Sequence, residues 1–244
     1  MPYRLHELLE QNRQWAEGVE ASKPGFFTGL LAQQAPQYLW IGCADSRVPA
    51  NEILGLLPGD VFVHRNVANV VVHSDLNALS VMQYAIDQLH VRHIMVVGHY
   101  GCGGVTAVLH NRRMGLADNG LRHVQDVRNK HRAFLAALPD DETCLQGLCE
   151  LNVLEQALNV CETTVVQDAW AREQSVVVHG WVYGLHNGLH DGLLEDLSMT
   201  VRTAADVEPA YHRALAALQV RFAARVPGAN PALPDAPQPA AKRT

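Results

Sequence analysis

Two polar clusters carry residues that could hold a metal ion. The first, at 43–47, reads Cys-Ala-Asp-Ser-Arg, and the second, at 99–104, reads His-Tyr-Gly-Cys-Gly-Gly. Two thiols and one imidazole would make a Cys2His ligand set, and three protein ligands leave one position of a tetrahedral zinc ion open. An open position is typical of a catalytic zinc ion rather than a structural one. Cys43, His99 and Cys102 are therefore the candidate metal ligands.

Spacing alone leaves other interpretations of these residues open. His99 and Cys102 are close enough in sequence to face one ion from a single turn, but Cys43 comes from a different part of the chain. Buried thiols without a metal are common in protein cores. A redox pair is a further alternative, although neither cysteine belongs to a Cys-x-x-Cys motif. The remaining cysteines, on helical stretches, are interpreted as core or surface residues: Cys144, Cys149 and Cys161.

Asp45 and Arg47 are two residues apart, so on an extended turn their side chains would project the same way. A carboxylate beside a catalytic zinc ion can orient a bound water, or it can occupy the open position itself. A charge-assisted fork with Arg47 would hold the carboxylate off the metal. The alternative is a surface ion pair of little energetic consequence.

Trp40 lies in the apolar run at 38–41, and Arg65 follows the apolar run at 61–63; both runs are predicted strands, and both residues have an ordinary interpretation. A tryptophan in a strand is usually a core residue, and an arginine at a strand end is usually a charge at the rim. The functional alternative is that Arg65 contacts an anion.

The elements that position these residues can be read from the apolar pattern. An apolar run of β character precedes each metal-binding cluster, at 38–41 and at 94–97. In open α/β sheets, polar side chains at the carboxyl ends of such strands form the functional sites. Strands alternate with helices along the chain, which predicts an α/β fold with a mainly parallel sheet flanked by helices.

One such domain is expected over residues 1–225, with an edge strand within 193–202 and a single long helix over 142–170. An N-terminal helical arm is predicted at about 3–20, because its apolar residues recur at helical spacing. The Pro- and Ala-rich tail at 226–244 is predicted to be disordered.

Composition excludes several classes of function. The net charge of −6 in 244 residues gives no support to a nucleic-acid or membrane partner. No apolar run approaches the about 18 residues that a membrane span needs. Five scattered cysteines do not form a disulfide framework, and the N-terminus has no apolar signal core, so a cytoplasmic protein is expected.

Three ordered motifs resemble the signature of the β-class carbonic anhydrases. They are Cys-Ala-Asp-Ser-Arg-Val-Pro at 43–49, His-Arg-Asn-Val-Ala-Asn at 64–69 and Gly-His-Tyr-Gly-Cys-Gly-Gly at 98–104. The likeness extends over about residues 3–220. In the family the first motif more commonly has Ser where this chain has Ala44. Two further stretches are similar to the family: Cys-Glu-Leu-Asn-Val at 149–153 and His-Gly-Trp-Val-Tyr-Gly at 179–184.

The resemblance implies one Zn²⁺ per chain, with Cys43, His99 and Cys102 as ligands and with Asp45 and Arg47 as a catalytic dyad. It implies reversible hydration of CO2 to bicarbonate and a proton by zinc-bound hydroxide. It also implies a homodimer or homotetramer in which the N-terminal helix wraps the neighbouring subunit.

Within the family, the chain is most similar to the bacterial enzymes that respond to pH and bicarbonate. Trp40, Arg65 and Tyr183 match their non-catalytic bicarbonate pocket. That likeness implies allosteric inhibition by bicarbonate at low pH, with Asp45 leaving Arg47 and becoming a fourth zinc ligand in the closed state. Two rival functions stay open: a bicarbonate sensor that keeps the metal without catalysis, and hydrolysis of a CO2-like substrate such as carbonyl sulfide or carbon disulfide.

Overall fold

The computed structural model of the chain describes residues 4–32, 34–185 and 191–225. Within them the strands are β1 Tyr38–Cys43, β2 Val61–Asn66, β3 His93–His99, β4 Val177–Tyr183 and β5 Leu194–Val201. The α-helices are α1 Leu5–Ser22, α2 Phe26–Ala32, α3 Ala50–Leu54, α4 Leu76–Asp87, α5 Gly103–Leu109, α6 Asp118–Lys130, α7 Arg132–Ala136, α8 Asp141–Glu162, α9 Thr164–Ala171 and α10 Val207–Ala223.

The five strands form one sheet in the order β2-β1-β3-β4-β5. The first four are mutually parallel, and β5 runs antiparallel at the edge, so the predicted α/β fold with a mainly parallel sheet is confirmed. β1 and β3 are neighbours in register, with Gly42 opposite Val97. Their carboxyl ends therefore lie side by side, and these are the ends that carry the two clusters with the candidate metal ligands.

The two faces of the sheet have separate cores. One face, which we call the α8 face, carries alternate residues of the strands such as Ile41, Val96 and Val182, and its core includes the buried leucines of α8. The opposite face, which we call the α3 face, has a smaller core in which Trp40 and Met95 pack with residues of α3. The site at the strand ends thus lies between two packed layers.

The prediction of one helix over 142–170 is wrong, because the chain breaks at Thr163. The Thr163 hydroxyl donates to the carbonyl of Val160 at 2.7 Å and accepts a hydrogen bond from the N–H of Val166 at 3.3 Å. The residue has extended backbone angles and caps the start of α9. Threonine at this position satisfies backbone groups that a continuous helix would have used.

The N-terminal helix α1 buries none of its residues within the chain. Trp15 makes an edge-on contact with Phe27 of α2, at 5.8 Å between ring centroids. The apolar residues Leu5 and Leu9 remain exposed.

Among the helices that the structure describes, none has the length and hydropathy of a membrane span. The tail at 226–244, predicted to be disordered, lies outside the described residues.

Candidate metal centre

The structure brings the three candidate ligands together at the carboxyl edge of the sheet. Cys43 is the last residue of β1, His99 is the last residue of β3, and Cys102 caps α5 three residues further on. Their ligand atoms all lie within 4.8 Å of one another, and all three residues are buried. Gly101 makes this turn with φ at 66°, a conformation that glycine adopts without steric cost.

The imidazole of His99 is oriented for a metal ion. Its Nδ1 lies 3.0 Å from the carbonyl oxygen of Tyr100, so Nδ1 carries the hydrogen and Nε2 carries the lone pair. His99 Nε2 is buried and has no hydrogen-bond partner among the described residues. In metal-bound histidines, the N–H of the other ring nitrogen typically donates a hydrogen bond to a carbonyl or carboxylate in this way. The unpartnered nitrogen and two thiols suit zinc, which binds nitrogen and sulfur ligands.

The two thiols also require a cation for full ionisation. Their sulfur atoms lie 3.8 Å apart. The hydrogen bond that Cys102 donates lowers the pKa of the Cys43 thiol, while donating that bond and burial both raise the pKa of Cys102. Two buried thiolates at this separation repel each other, and a divalent cation between them would remove that repulsion.

Asp45 and Arg47 form a bidentate fork beside the ligands. Arg47 Nε donates to Asp45 Oδ1 at 2.9 Å, and Arg47 Nη2 donates to Asp45 Oδ2 at 2.7 Å. The backbone N–H of Arg47 also donates to Oδ1, at 2.9 Å. The hydrogen bonds from Arg47 hold the pKa of Asp45 well below its usual range. Asp45 Oδ2 lies 3.7 Å from His99 Nε2, so the carboxylate faces the ligand set.

A buried network on α8 anchors the turn that carries His99, and sequence reasoning did not identify it. Tyr100 OH donates to Glu150 Oε1 at 2.7 Å, and Arg221 of α10 donates to Glu150 Oε2. The Tyr100 N–H donates to the carbonyl of Tyr183 at 3.1 Å. Burial raises the pKa of Glu150. Burial also raises the pKa of Tyr100, and the nearby carboxylate of Glu150 raises it further. The available signal was an acidic residue within an apolar helical stretch.

Trp40, Arg65 and Tyr183 share the α3 face, since Arg65 pairs with Gly42, two residues after Trp40, and Tyr183 pairs with His99. Trp40 is fully buried, and its indole Nε1 has no hydrogen-bond partner in the described part of the chain. Tyr183 is half-buried.

Arg65 is exposed but is not a free charge at the rim. Its Nε donates to the carbonyl of Cys43 at 2.9 Å, and its Nη2 donates to the carbonyl of Asp45. The guanidinium thus contacts the backbone on both sides of Ala44, within the segment that carries a ligand and the dyad.

Comparison with known proteins gives a consistent result. The family model described as carbonic anhydrase matches residues 38–190. A carbonic anhydrase of Emericella nidulans is 45% identical over 207 residues, which are 84% of this chain and 89% of that protein. A carbonic anhydrase of Saccharomyces cerevisiae is 32% identical over 213 residues, covering 84% of this chain and 92% of that protein.

Solved structures agree with these relatives. A Coccomyxa β-carbonic anhydrase in complex with acetazolamide superposes with a TM-score of 0.79 at 40% identity, covering 85% of this chain and 92% of that chain. A tetrameric β-carbonic anhydrase from Sordaria macrospora superposes with a TM-score of 0.75 at 37% identity, covering 80% and 98%. The comparisons extend over most of the chain, and they leave the expected bacterial, bicarbonate-switched subtype as a prediction.

Proposed function

The chain belongs to the β-class carbonic anhydrase family, and we propose that it hydrates CO2 reversibly to bicarbonate and a proton with a zinc ion held by Cys43, His99 and Cys102. The observation that carries the proposal is the buried Cys2His cluster with the Asp45–Arg47 fork beside it. When bound, zinc would act as a Lewis acid that lowers the pKa of a coordinated water to about 7.

The dyad would orient the attacking water. Asp45 is ionised at neutral pH because Arg47 lowers its pKa, so its oxygens can only accept hydrogen bonds. Asp45 Oδ2 is near His99 Nε2, the ring nitrogen that would bind the metal. This position would let Oδ2 accept a hydrogen bond from the water and so direct a lone pair of the water towards CO2. A carboxylate with so low a pKa does not retain the proton, which therefore passes on to solvent and buffer.

The fork has a second role, which is to keep the carboxylate from binding the metal. While Arg47 donates to both oxygens of Asp45, the fork holds the carboxylate away from metal coordination, and Oδ2 keeps a second lone pair that can accept a hydrogen bond from the water. A carboxylate released from the fork would be a fourth ligand and would block the position that water needs. The closed fork between Asp45 and Arg47 therefore corresponds to the active state, and its opening would give the proposed closed state of the site.

Bicarbonate inhibition at low pH is proposed through Trp40, Arg65 and Tyr183. Two observations support it. The buried indole N–H of Trp40 has no partner in the described residues and could donate to an anion, and Arg65 donates a hydrogen bond to the carbonyl of Asp45. An anion that drew the guanidinium away would free the backbone at Asp45. The carboxylate could then leave Arg47 for the metal, as in the bacterial subtype that the chain resembles.

The quaternary structure is proposed to be a homodimer or homotetramer, with α1 as an arm on the neighbouring subunit. The β-carbonic anhydrases of Sordaria macrospora are tetrameric, and α1 exposes apolar residues that its own chain does not bury. All five cysteines are free thiols, which suits a cytoplasmic location.

The direct test is stopped-flow CO2 hydration from neutral to alkaline pH, with zinc content measured on the same sample. Zinc near one ion per chain together with turnover would support the proposal. Bound zinc without CO2 turnover would reject it and favour the bicarbonate sensor or hydrolysis of carbonyl sulfide or carbon disulfide. As a test of the ligand set, Cys102→Ala should lose zinc, and full zinc occupancy in that variant would remove Cys102 from the set.

The regulatory proposal has its own test. Arg65→Ala should weaken inhibition of CO2 hydration by added bicarbonate, because the variant lacks the group that links the anion to the backbone of Asp45. Arg92→Ala, at an exposed arginine just before β3, is a control that should leave inhibition unchanged. Inhibition of equal strength in Arg65→Ala would reject the pocket.

A further inference from the structure

Three amide side chains on α8 hydrogen-bond to the backbone that follows β2, and that backbone contacts a candidate metal ligand. We propose that this amide ladder, defined as Asn152, Gln156 and Asn159, positions the Cys43 thiolate for metal binding. The inference rests on the proposed zinc site and assigns positioning residues to it.

The link to the metal site is a backbone hydrogen bond. The N–H of Ala68 donates to Cys43 Sγ at a donor–acceptor distance of 3.4 Å. An N–H that donates to a thiolate ligand partly neutralises its charge and fixes its direction, so it affects both metal affinity and metal electronics. The position of the Ala68 peptide is therefore part of the site.

That peptide lies in a backbone conformation that needs support. Ala68 has φ at 66° and Asn69 has φ at 46°, so two successive non-glycine residues are in the left-handed region. Asparagine tolerates this region, but alanine avoids it and persists there only where surrounding contacts hold it. Both residues are buried, so water does not supply those contacts.

The ladder supplies some of these contacts, on Ala68 and on Val71. Asn152 Nδ2 donates to the Ala68 carbonyl at 2.9 Å. Gln156 Oε1 accepts from the Val71 N–H at 2.8 Å, and Asn159 Nδ2 donates to the Val71 carbonyl at 2.9 Å. The ladder residues stand four and three positions apart, so they share one face of α8.

The ladder is also connected within itself. Gln156 Nε2 donates to Asn152 Oδ1 at 3.1 Å, and Asn159 Nδ2 lies 3.2 Å from Gln156 Oε1. Asn152 and Gln156 are each only 1% exposed. In such a buried network each amide fixes the orientation of the next, so the loss of one member affects the whole. Through these hydrogen bonds, the long helix α8 holds the backbone of residues 68–71 in a fixed position.

A purely structural ladder would predict lost stability but an unchanged metal site, and this difference can be measured. Asn152→Leu removes the donor to Ala68 and keeps a side chain that branches at Cγ with the same number of heavy atoms. Gln174→Leu is the matched control: Gln174 is half-buried, and its Nε2 donates to the carbonyl of Ile86 at 2.8 Å in a different part of the fold.

The experiment measures the zinc dissociation constant by chelator competition, and the sulfur-to-metal charge-transfer spectrum after Co²⁺ substitution. Asn152→Leu should weaken zinc binding about tenfold or more and shift the charge-transfer band. Gln174→Leu should leave both unchanged, even where its thermal stability falls. Ala68→Gly added to Asn152→Leu should recover zinc affinity, because glycine adopts the left-handed conformation without restraint.

Unchanged zinc affinity and an unchanged Co²⁺ spectrum in Asn152→Leu would overturn the proposal. If Asn152→Leu does not fold, Asn159→Leu, at a half-buried position, removes the donor to Val71 instead, and unchanged affinity and spectrum there would equally overturn it. Failure of the Ala68→Gly addition to recover affinity would reject the role of the left-handed backbone. An unaltered chain that bound no zinc would instead reject the proposed function itself.

Discussion

At the scale of single residues, Asp45 illustrates what geometry adds to spacing. The residues alone allow a surface ion pair with Arg47, but the carboxylate is only 15% exposed and lies 3.7 Å from His99 Nε2. It accepts three hydrogen bonds from Arg47, two from the guanidinium and one from the backbone. A group held so firmly beside a ligand set is suited to orienting a reactant.

Asp45→Ala should lower CO2 turnover by about 100-fold or more while zinc remains bound, because the variant loses the acceptor but none of the three ligands. Asp118→Ala is the matched control, since Asp118 accepts hydrogen bonds from the side chain of Arg113 and the backbone of Met114 outside the site. Stopped-flow hydration and zinc content, measured on both variants, test the prediction. Turnover of Asp45→Ala at the level of the control would remove Asp45 from the mechanism.

The sequence predicted which residues would meet in the site, and the reason is topological. Parallel strands bring their carboxyl ends to one edge, so polar residues after β1 and β3 have to be neighbours. Contacts that depend on the path of a loop were not predictable. Ala68 donating to Cys43 is one example, because no residue type identifies a backbone donor. A close approach within strand β1 was not predictable either: a Cβ at Gly42 would lie 2.1 Å from Trp40 Nε1, which a strand pattern does not reveal.

At the scale of elements, α8 connects the core to the site. It carries two buried carboxylates whose pKa values move in opposite directions. Burial raises the pKa of Glu150, whereas for Glu155 the effect of burial is exceeded by other contacts. Hydrogen bonds from three neighbours lower the pKa of Glu155 to about 2: His131, Lys130 and Tyr211.

This depressed pKa predicts acid sensitivity. Because Glu155 is more acidic in the folded chain than its ordinary value of 4.5, its stabilising contribution is complete above about pH 4.5 and is lost as pH falls towards 2. Glu155→Gln should therefore lower the free energy of unfolding at neutral pH and reduce its decline below pH 4.5. Denaturant unfolding over that range measures both effects.

The control for this prediction is Glu142→Gln, at an exposed position near the start of the same helix. The stability of Glu142→Gln should depend on pH in the same way as that of the unaltered chain. If Glu155→Gln also gave a curve parallel to that of the unaltered chain, the carboxylate would not be the acid-labile group.

The elements themselves were predictable to different degrees. The strands follow from apolar runs and turn residues, and an edge strand within 193–202 was predicted, but its antiparallel direction was not. The break between α8 and α9 was not predictable from the apolar spacing, because that spacing continues through Thr163. Side-chain hydrogen bonds end the helix there, among them those of the Thr163 hydroxyl. Local capping competed with periodicity at this position and prevailed.

At the scale of the whole molecule, the apolar residues Leu5 and Leu9 of α1 stay exposed in the part of the chain that the structure describes. Leu9 is 72% exposed, and no residue of α1 is buried. An amphipathic helix gains most of its stability from burying its apolar stripe. Since α1 buries no residue, it lacks the packing surface that such a helix needs. A neighbouring subunit is the proposed partner, and the family resemblance implies the same arrangement.

Leu9→Glu should therefore reduce the mass of the assembly in solution while the protomer remains folded, since the substitution places a charge on a surface that only a partner would cover. Leu116→Glu is the control, because Leu116 is 88% exposed but lies outside α1. Sedimentation velocity gives the mass, and circular dichroism reports the fold. The full mass retained by Leu9→Glu would show that α1 does not hold the subunits together, and a loss of mass confined to Leu9→Glu would assign that role to the arm.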